Sequence, residues 1–252
     1  MKLRVISAVI ALAGLSAAAQ AQWSDGFEAY AAGSNLHGQG GWKGWDNDPA
    51  HAGTASNTIA RTGSNSARIT TPSSTAYGDD LTHEYSGYTT GQWNYTAYQY
   101  IASNTPSGAG RNTYFILMNT YDDFGAGTTD RWSLQLKFDL SNNTVYDDAL
   151  GGAGSPGTAF LAIVRDAWAE ISVDIDLDAN TMVARYNGAV VISTSWTRGT
   201  AGAQQAIEAV DLYSSSTGPV FYDDLALTRV PAPGALGVLA LGGLMAGRRR
   251  RA

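Results

Sequence analysis

Three groups of residues have types and spacings that could do chemistry. Asp174, Asp176 and Asp178 alternate along the run AEISVDIDLD, and alternate residues of a strand point to one face. Carboxylates aligned in this way can serve glycoside hydrolysis, one attacking the sugar while another donates a proton. A solvent-facing strand has the same alternation, and this run ends in a turn, so the structural reading is the expected one. The second group is Asp25 and Glu28, near the first predicted strand, with Asp223 and Asp224 near the last. Four hard oxygen donors suit Ca²⁺ and make a structural calcium site an expectation. Solvated turn acids are the alternative, because acidic pairs recur at Asp79-Asp80, Asp122-Asp123 and Asp147-Asp148. No other cofactor is expected. The third group is aromatic. Trp42, Trp45 and Asp46 lie in the glycine-rich run GGWKGWDND, and Tyr98 lies on a strand crowded with rings. Exposed rings stack on sugar faces and a carboxylate accepts from sugar hydroxyls, so these four residues are the ligand-binding candidates. Trp132 and Trp168 are assigned to the core.

Other chemistries lack their residues. There are no cysteines, and the three histidines, His37, His51 and His83, have no zinc-ligand spacing. No Ser-His-Asp set, phosphate loop or dinucleotide motif is present. No catalytic residue is therefore assigned, and the chain is expected not to be an enzyme.

The elements that must position these residues read as strands. In RWSLQLKFD, Arg131–Asp139, the residues Trp132, Leu134, Leu136 and Phe138 alternate with polar ones and predict a strand with one buried face. Ala169–Leu177 repeats the pattern with Ile171, Val173, Ile175 and Leu177 inward. A turn at Asp178-Ala179-Asn180 leads to Thr181–Tyr186, and Asn187-Gly188 is the strongest hairpin signal in the chain. With Val190–Thr194 these make a predicted three-strand meander. Further strands are expected over 26–30, 67–70, 81–85, 93–102, 112–120, 144–146, 160–164, 206–213 and 220–228. About a dozen short strands with glycine-rich turns predict an all-β, two-sheet antiparallel jelly-roll sandwich.

Charge excludes one class of partner. Residues 22–230 hold all 22 acids but 10 of the 16 bases, a net charge of −12, which repels phosphate backbones and argues against nucleic acid.

The two ends read as address labels. Met1–Ala21 has a basic start, an apolar run and the pattern Ala19-Gln20-Ala21, a signal peptide expected to form a helix and to be cleaved after Ala21. Val230-Pro231-Ala232-Pro233 breaks regular structure. Gly234–Gly247 is apolar, and Arg248, Arg249, Arg250 and Arg251 close the tail. As a hydrophobic helix, the apolar stretch reaches about 21 Å at ~1.5 Å per residue, short of a ~30 Å hydrocarbon core unless the proline segment is included. The expected organisation is a signal peptide over 1–21, one β-sandwich domain over 22–229 and a sorting or anchor tail over 230–252.

This tail resembles the PEP-CTERM sorting signal of bacterial exported proteins, with Ala232 where that motif carries Glu. The resemblance implies an exosortase-like processing partner and membrane contact through the tail before processing. A plain transmembrane anchor is the alternative. Asp25-Gly26-Phe27-Glu28-Ala29-Tyr30, then Leu36-His37-Gly38-Gln39-Gly40-Gly41-Trp42, resemble the opening of concanavalin A-like, laminin-G-like domains in secreted bacterial proteins. Trp168–Val191 is similar to their central meander, and Phe221-Tyr222-Asp223-Asp224-Leu225 to their last strand, which pairs near the first. Laminarinase-type enzymes of this fold carry glutamates flanking an aspartate on one strand, where this chain has aspartates. Together these readings predict an exported, non-catalytic protein that binds extracellular polysaccharide at the cell surface or in the matrix. The alternatives are a structural matrix protein and a glycoside hydrolase of the same fold.

Overall fold

The computed structural model describes residues 21–71, 78–124, 129–151 and 153–231, and Ala21–Val230 forms one unit. The helices expected at the signal peptide and at the apolar tail lie outside the described residues. Among those described there is no α-helix, only a single 3-10 turn at Trp45–Asn47. None of their helices is long and apolar enough to cross a membrane.

Among the described residues, fifteen strands form two antiparallel sheets. In chain order they are β1 (Ala21–Asp25), β2 (Trp42–Gly44), β3 (Thr54–Ser56), β4 (Ser66–Ile69), β5 (Asp80–Glu84), β6 (Gln92–Tyr100), β7 (Asn112–Thr120) and β8 (Arg131–Asp139). Then follow β9 (Thr144–Asp147), β10 (Leu161–Ala162), β11 (Trp168–Asp176), β12 (Thr181–Tyr186), β13 (Ala189–Thr194), β14 (Ala209–Ser215) and β15 (Val220–Val230). The eight-stranded sheet runs β13-β12-β11-β6-β15-β4-β3, with β1 paired to β15; the seven-stranded sheet runs β10-β9-β8-β7-β14-β5-β2. The jelly-roll sandwich expected from the alternating pattern is the observed fold.

The core lies between the sheets. Leu134, Leu136 and Phe138 of β8 and Phe115 and Leu117 of β7 meet Tyr95 and Ala97 of β6 and Ile171, Val173 and Ile175 of β11, all sealed from water. The meander β11-β12-β13 forms as expected. Asn187 and Gly188 both take positive φ, 48° and 81°, which a two-residue hairpin turn requires. The last strand pairs with the first, Leu225 opposite Asp25.

Three local readings are corrected. Residues 26–30 form turns rather than a strand, and the strand comes before them as β1. The short edge strands β2 and β3 gave no alternation long enough to register. Trp132 does not share a face with Leu134. Irregular register around Met118, where β7 pairs with β8, turns Trp132 outward to pack beside Ile116 and Met118.

Candidate functional site

The outer face of the seven-stranded sheet gathers aromatic and charged side chains in register. Across β5, β14, β7, β8 and β9, one row reads Asp80, Tyr213, Tyr114, Lys137, Tyr146. The next row reads Lys43, Thr82, Asp211, Ile116, Gln135. Residues opposite one another on antiparallel strands share a face, so pairing alone builds this surface.

Tyr114 and Tyr213, both half-buried, stack with centroids 5.5 Å apart and planes at 23°. Burial pushes the Tyr114 hydroxyl up to about 12, with Lys137 opposing, so it stays a donor at neutral pH. Lys137 lies 5.7 Å from the Tyr146 ring centroid and 3.5 Å from Asp148 Oδ2. Its burial favours the neutral amine, but Tyr114, Asp148 and Tyr146 outweigh this and raise its pKa. Gln135 Nε2 donates to Asp148 Oδ1 at 2.6 Å. Phe160, 56% exposed, tilts over Tyr146 at 4.7 Å and edges the row. Beneath this end, Arg198 donates to Asp147 at 2.6 Å, and both side chains are closed to solvent.

At the other end Trp45 meets Tyr121 edge-on at 5.0 Å, and Lys43 sits 5.1 Å from the Tyr121 ring centroid. Lys43 bridges Glu84 and Asp123. Among the described residues, two hollows open on the face. One, of ≈ 230 Å³, is lined by Trp45, His51, Gly78, Asp80 and Tyr213; the other, of ≈ 360 Å³, is lined by Asp130, Arg131, Trp132, Ala149, Thr200 and Ala201. Asp80 and Asp211 are hydrogen-bonded to each other, and burial raises both carboxyls, Asp211 the more strongly. Two adjacent carboxylates cannot both ionise cheaply away from water, so they share a proton.

The residues singled out from sequence do not form one site. Trp42 is a correction: it is 1% exposed, and its indole N–H donates to Asp25 Oδ2 at 2.7 Å, so no ligand can stack on it. Its neighbour Trp45 does reach the outer face of the seven-stranded sheet. Asp46, at positive φ, accepts from the Phe124 N–H at 2.8 Å. Tyr98 lies on the other sheet, where the Arg61 guanidinium covers its ring at 3.4 Å and its hydroxyl donates to Glu170, so that face is already occupied.

The calcium expectation is also corrected. Asp25 accepts from the Phe27 N–H, the Tyr30 hydroxyl and Trp42, and Glu28 accepts from the Ser64 and Asn65 N–H groups. Asp223 accepts from the Arg61 and Thr62 N–H groups, and Asp224 pairs with Arg61 and the Thr62 hydroxyl. These four carboxylates clasp loops, and among the described residues no group of three or more acids or histidines could hold a metal ion. Asp174, Asp176 and Asp178 are engaged by Arg185 and Asn94, by Gln92 and the Ala179 N–H, and by the Gly91 N–H. Val230 ends β15, while Ala232, Pro233 and Arg248 to Arg251 lie outside the described residues.

Sequence reasoning missed Tyr114 and Tyr213 as partly exposed rings with Tyr146 buried beside them, and Asp80 and Asp211 as a pair. A signal was present. The run YFILM over 114–118 is apolar at consecutive positions, so β7 is covered on both faces.

No protein-family model and no curated protein matches the chain. Among solved structures it is similar to the cellulose induced protein Cip1, at 17% identity over 84% of this chain and 100% of that one, with a TM-score of 0.50. It is also similar to the Emp47p carbohydrate recognition domain (10% identity, 78% and 94% covered, TM-score 0.49). The alginate lyase Aly36B, in complex with an alginate tetrasaccharide, is a further neighbour (13%, 82% and 96%, 0.48). At these identities the likeness is one of fold alone: the chain shares the two-sheet antiparallel jelly-roll sandwich with Cip1.

Proposed function

We propose that this chain is an exported, non-catalytic carbohydrate-binding protein whose sugar platform is the outer face of the seven-stranded sheet. The observation that carries the reading is the in-register row Tyr213, Tyr114, Lys137, whose two half-buried tyrosines stack beside hydrogen-bonding Lys137 and Gln135; Tyr146 continues the row but is buried under Phe160. Rings of this kind present an apolar face to a pyranose, and the neighbouring polar groups meet its hydroxyls. The lectin and glycan-active neighbours of the same fold favour a sugar as ligand. The non-catalytic part is supported by the carboxylate pair that borders the ≈ 230 Å³ hollow. Asp80 and Asp211 are in direct hydrogen-bond contact, whereas glycoside hydrolysis places its two carboxyls about 5 Å or more apart with the sugar between them.

Affinity electrophoresis through gels of β-glucans, chitin derivatives and alginate tests this. Wild-type protein is retarded by at least one polysaccharide without releasing reducing ends, and Tyr114→Ala weakens retention by about tenfold, the effect of one lost stacking contact. Retention by none points instead to a structural matrix protein.

The location rests on the two ends, read as a signal peptide and a PEP-CTERM-like tail cut by an exosortase-like enzyme after transient membrane anchoring. Mass spectrometry of the protein recovered from the cell surface reads both. The expected mass lacks residues 1–21 and the arginine cluster, and an intact Arg248–Arg251 end sinks the processing half.

A further inference from the structure

The ≈ 230 Å³ hollow beside β5 differs in character from the rest of the platform. Trp45 and Tyr213 supply its aromatic walls and Asp80 its acid. Asp80 Oδ1 is closed to solvent and has no hydrogen-bond partner, and Thr82 Oγ1 and Asp211 Oδ1 in the adjoining row are in the same condition. A carboxylate so short of donors, set in the wall of an open hollow, is stabilised by a cation bound against it. The lysines of this face do not supply one: Lys43 is held by Glu84 and Asp123, and Lys137 by Asp148. His51 lines the hollow and attracts the Asp80 charge electrostatically. The remaining wall is backbone. A Cβ at Gly78 would lie 1.8 Å from the Ser214 carbonyl oxygen, so no side chain grows into the space from there.

We propose that this hollow receives the ammonium group of an amine-bearing sugar, so that the ligand is a polysaccharide containing glucosamine-type residues with free amines. The inference rests on the outer face being a sugar platform, and it adds the class of sugar. An ammonium ion donates three hydrogen bonds, is attracted to the faces of Trp45 and Tyr213, and meets the Asp80 carboxylate. Tyr213 belongs to both the hollow and the stacked pair, so a ring seated here continues onto Tyr114 and the rest of the row. That continuity favours an amine carried on a glycan over an isolated amine. Charge points the same way. Glu84, Asp123, Asp130, Asp148 and the singly charged Asp80–Asp211 pair outnumber Lys43, Lys137 and Arg131 on this face, a field that attracts polycations and repels polyuronates.

Isothermal titration at neutral pH and low salt tests the proposal with four probes: an oligoglucosamine, its N-acetylated counterpart, a cello-oligosaccharide of the same length, and ethanolamine. The oligoglucosamine is expected to bind at least about tenfold tighter than each of the others, the scale of one charge-assisted hydrogen bond. In Asp80→Asn the ratio of oligoglucosamine to cello-oligosaccharide affinity falls towards one. Trp45→Leu, which leaves the carboxylates in place, lowers the same ratio and serves if Asp80→Asn fails to fold. Equal binding of the amine, acetylated and neutral sugars overturns the amino-sugar inference and leaves the platform standing. Ethanolamine binding as tightly as the oligoglucosamine overturns the sugar requirement. Binding of none of the sugars removes the platform and this inference together.

Discussion

Asp223 sits in β15 with no exposure to solvent, and its carboxylate accepts the backbone N–H groups of Arg61, at 2.7 Å, and Thr62, at 3.3 Å. Burial pushes the carboxyl up to about 6, although those N–H groups work to lower it. Together with Asp224 and Glu28, which take the Arg61 side chain and the Ser64 and Asn65 N–H groups, it straps residues 61–65 to the sheet. Asp223→Ala leaves the Arg61 and Thr62 donors unpaired and is expected to cost about 1–3 kcal/mol in urea unfolding. Faster amide exchange confined to residues 61–65 is the accompanying sign, and unchanged exchange there rules the strap out. At this scale the sequence was legible in type but not in partner. Asp25, Glu28, Asp223 and Asp224 do gather at one end of the molecule, as the strand order implied, yet their donors are backbone N–H groups that no residue pattern reveals. Trp42 looked exposed because glycines surround it. Gly41 instead lets the chain turn tightly, at φ 90°, to lay Trp42 over Asp25.

Elements were the most legible scale where alternation ran long. The strands β8 and β12 fall on the predicted residues, because nine or six alternating positions leave little freedom of period, and β7 does so on its consecutive apolar run. The short strands β2 and β3 were invisible, since three residues carry no period. The candidate face needed more than element boundaries. Tyr213, Tyr114, Lys137 and Tyr146 lie on four strands, and β14, remote in sequence, inserts between β5 and β7. Which rings align depends on that insertion and on register, neither of which follows from local pattern. The irregular pairing at Met118 shows the limit most sharply: one local slip moves Trp132 from the core to the outer face.

The whole molecule combines a net charge of −12 over residues 22–230 with several carboxyls removed from water. Burial pushes Asp79 up to about 7, against the Thr70 N–H bond that lowers it, and raises Asp80 and Asp211 as a pair sharing a proton. In the unfolded chain such carboxyls titrate near pH 4, so across the interval up to about pH 7 the folded state binds more protons. Their contribution is therefore fully present below about pH 4 and lost as pH rises through the folded values. His83 acts in the opposite sense, because burial depresses its pKa and penalises the folded state only below about pH 6.5. Between about pH 6.5 and 8 the carboxyls thus decide the sign, and self-repulsion of the acidic surface adds to it. The melting temperature is expected to fall across that window. Asp79→Asn, which keeps an acceptor for the Thr70 N–H, flattens the fall by removing from the balance a carboxyl that titrates inside that window. A melting temperature that rises from pH 6.5 to 8, or an Asp79→Asn profile parallel to wild type, means that these buried acids do not govern stability.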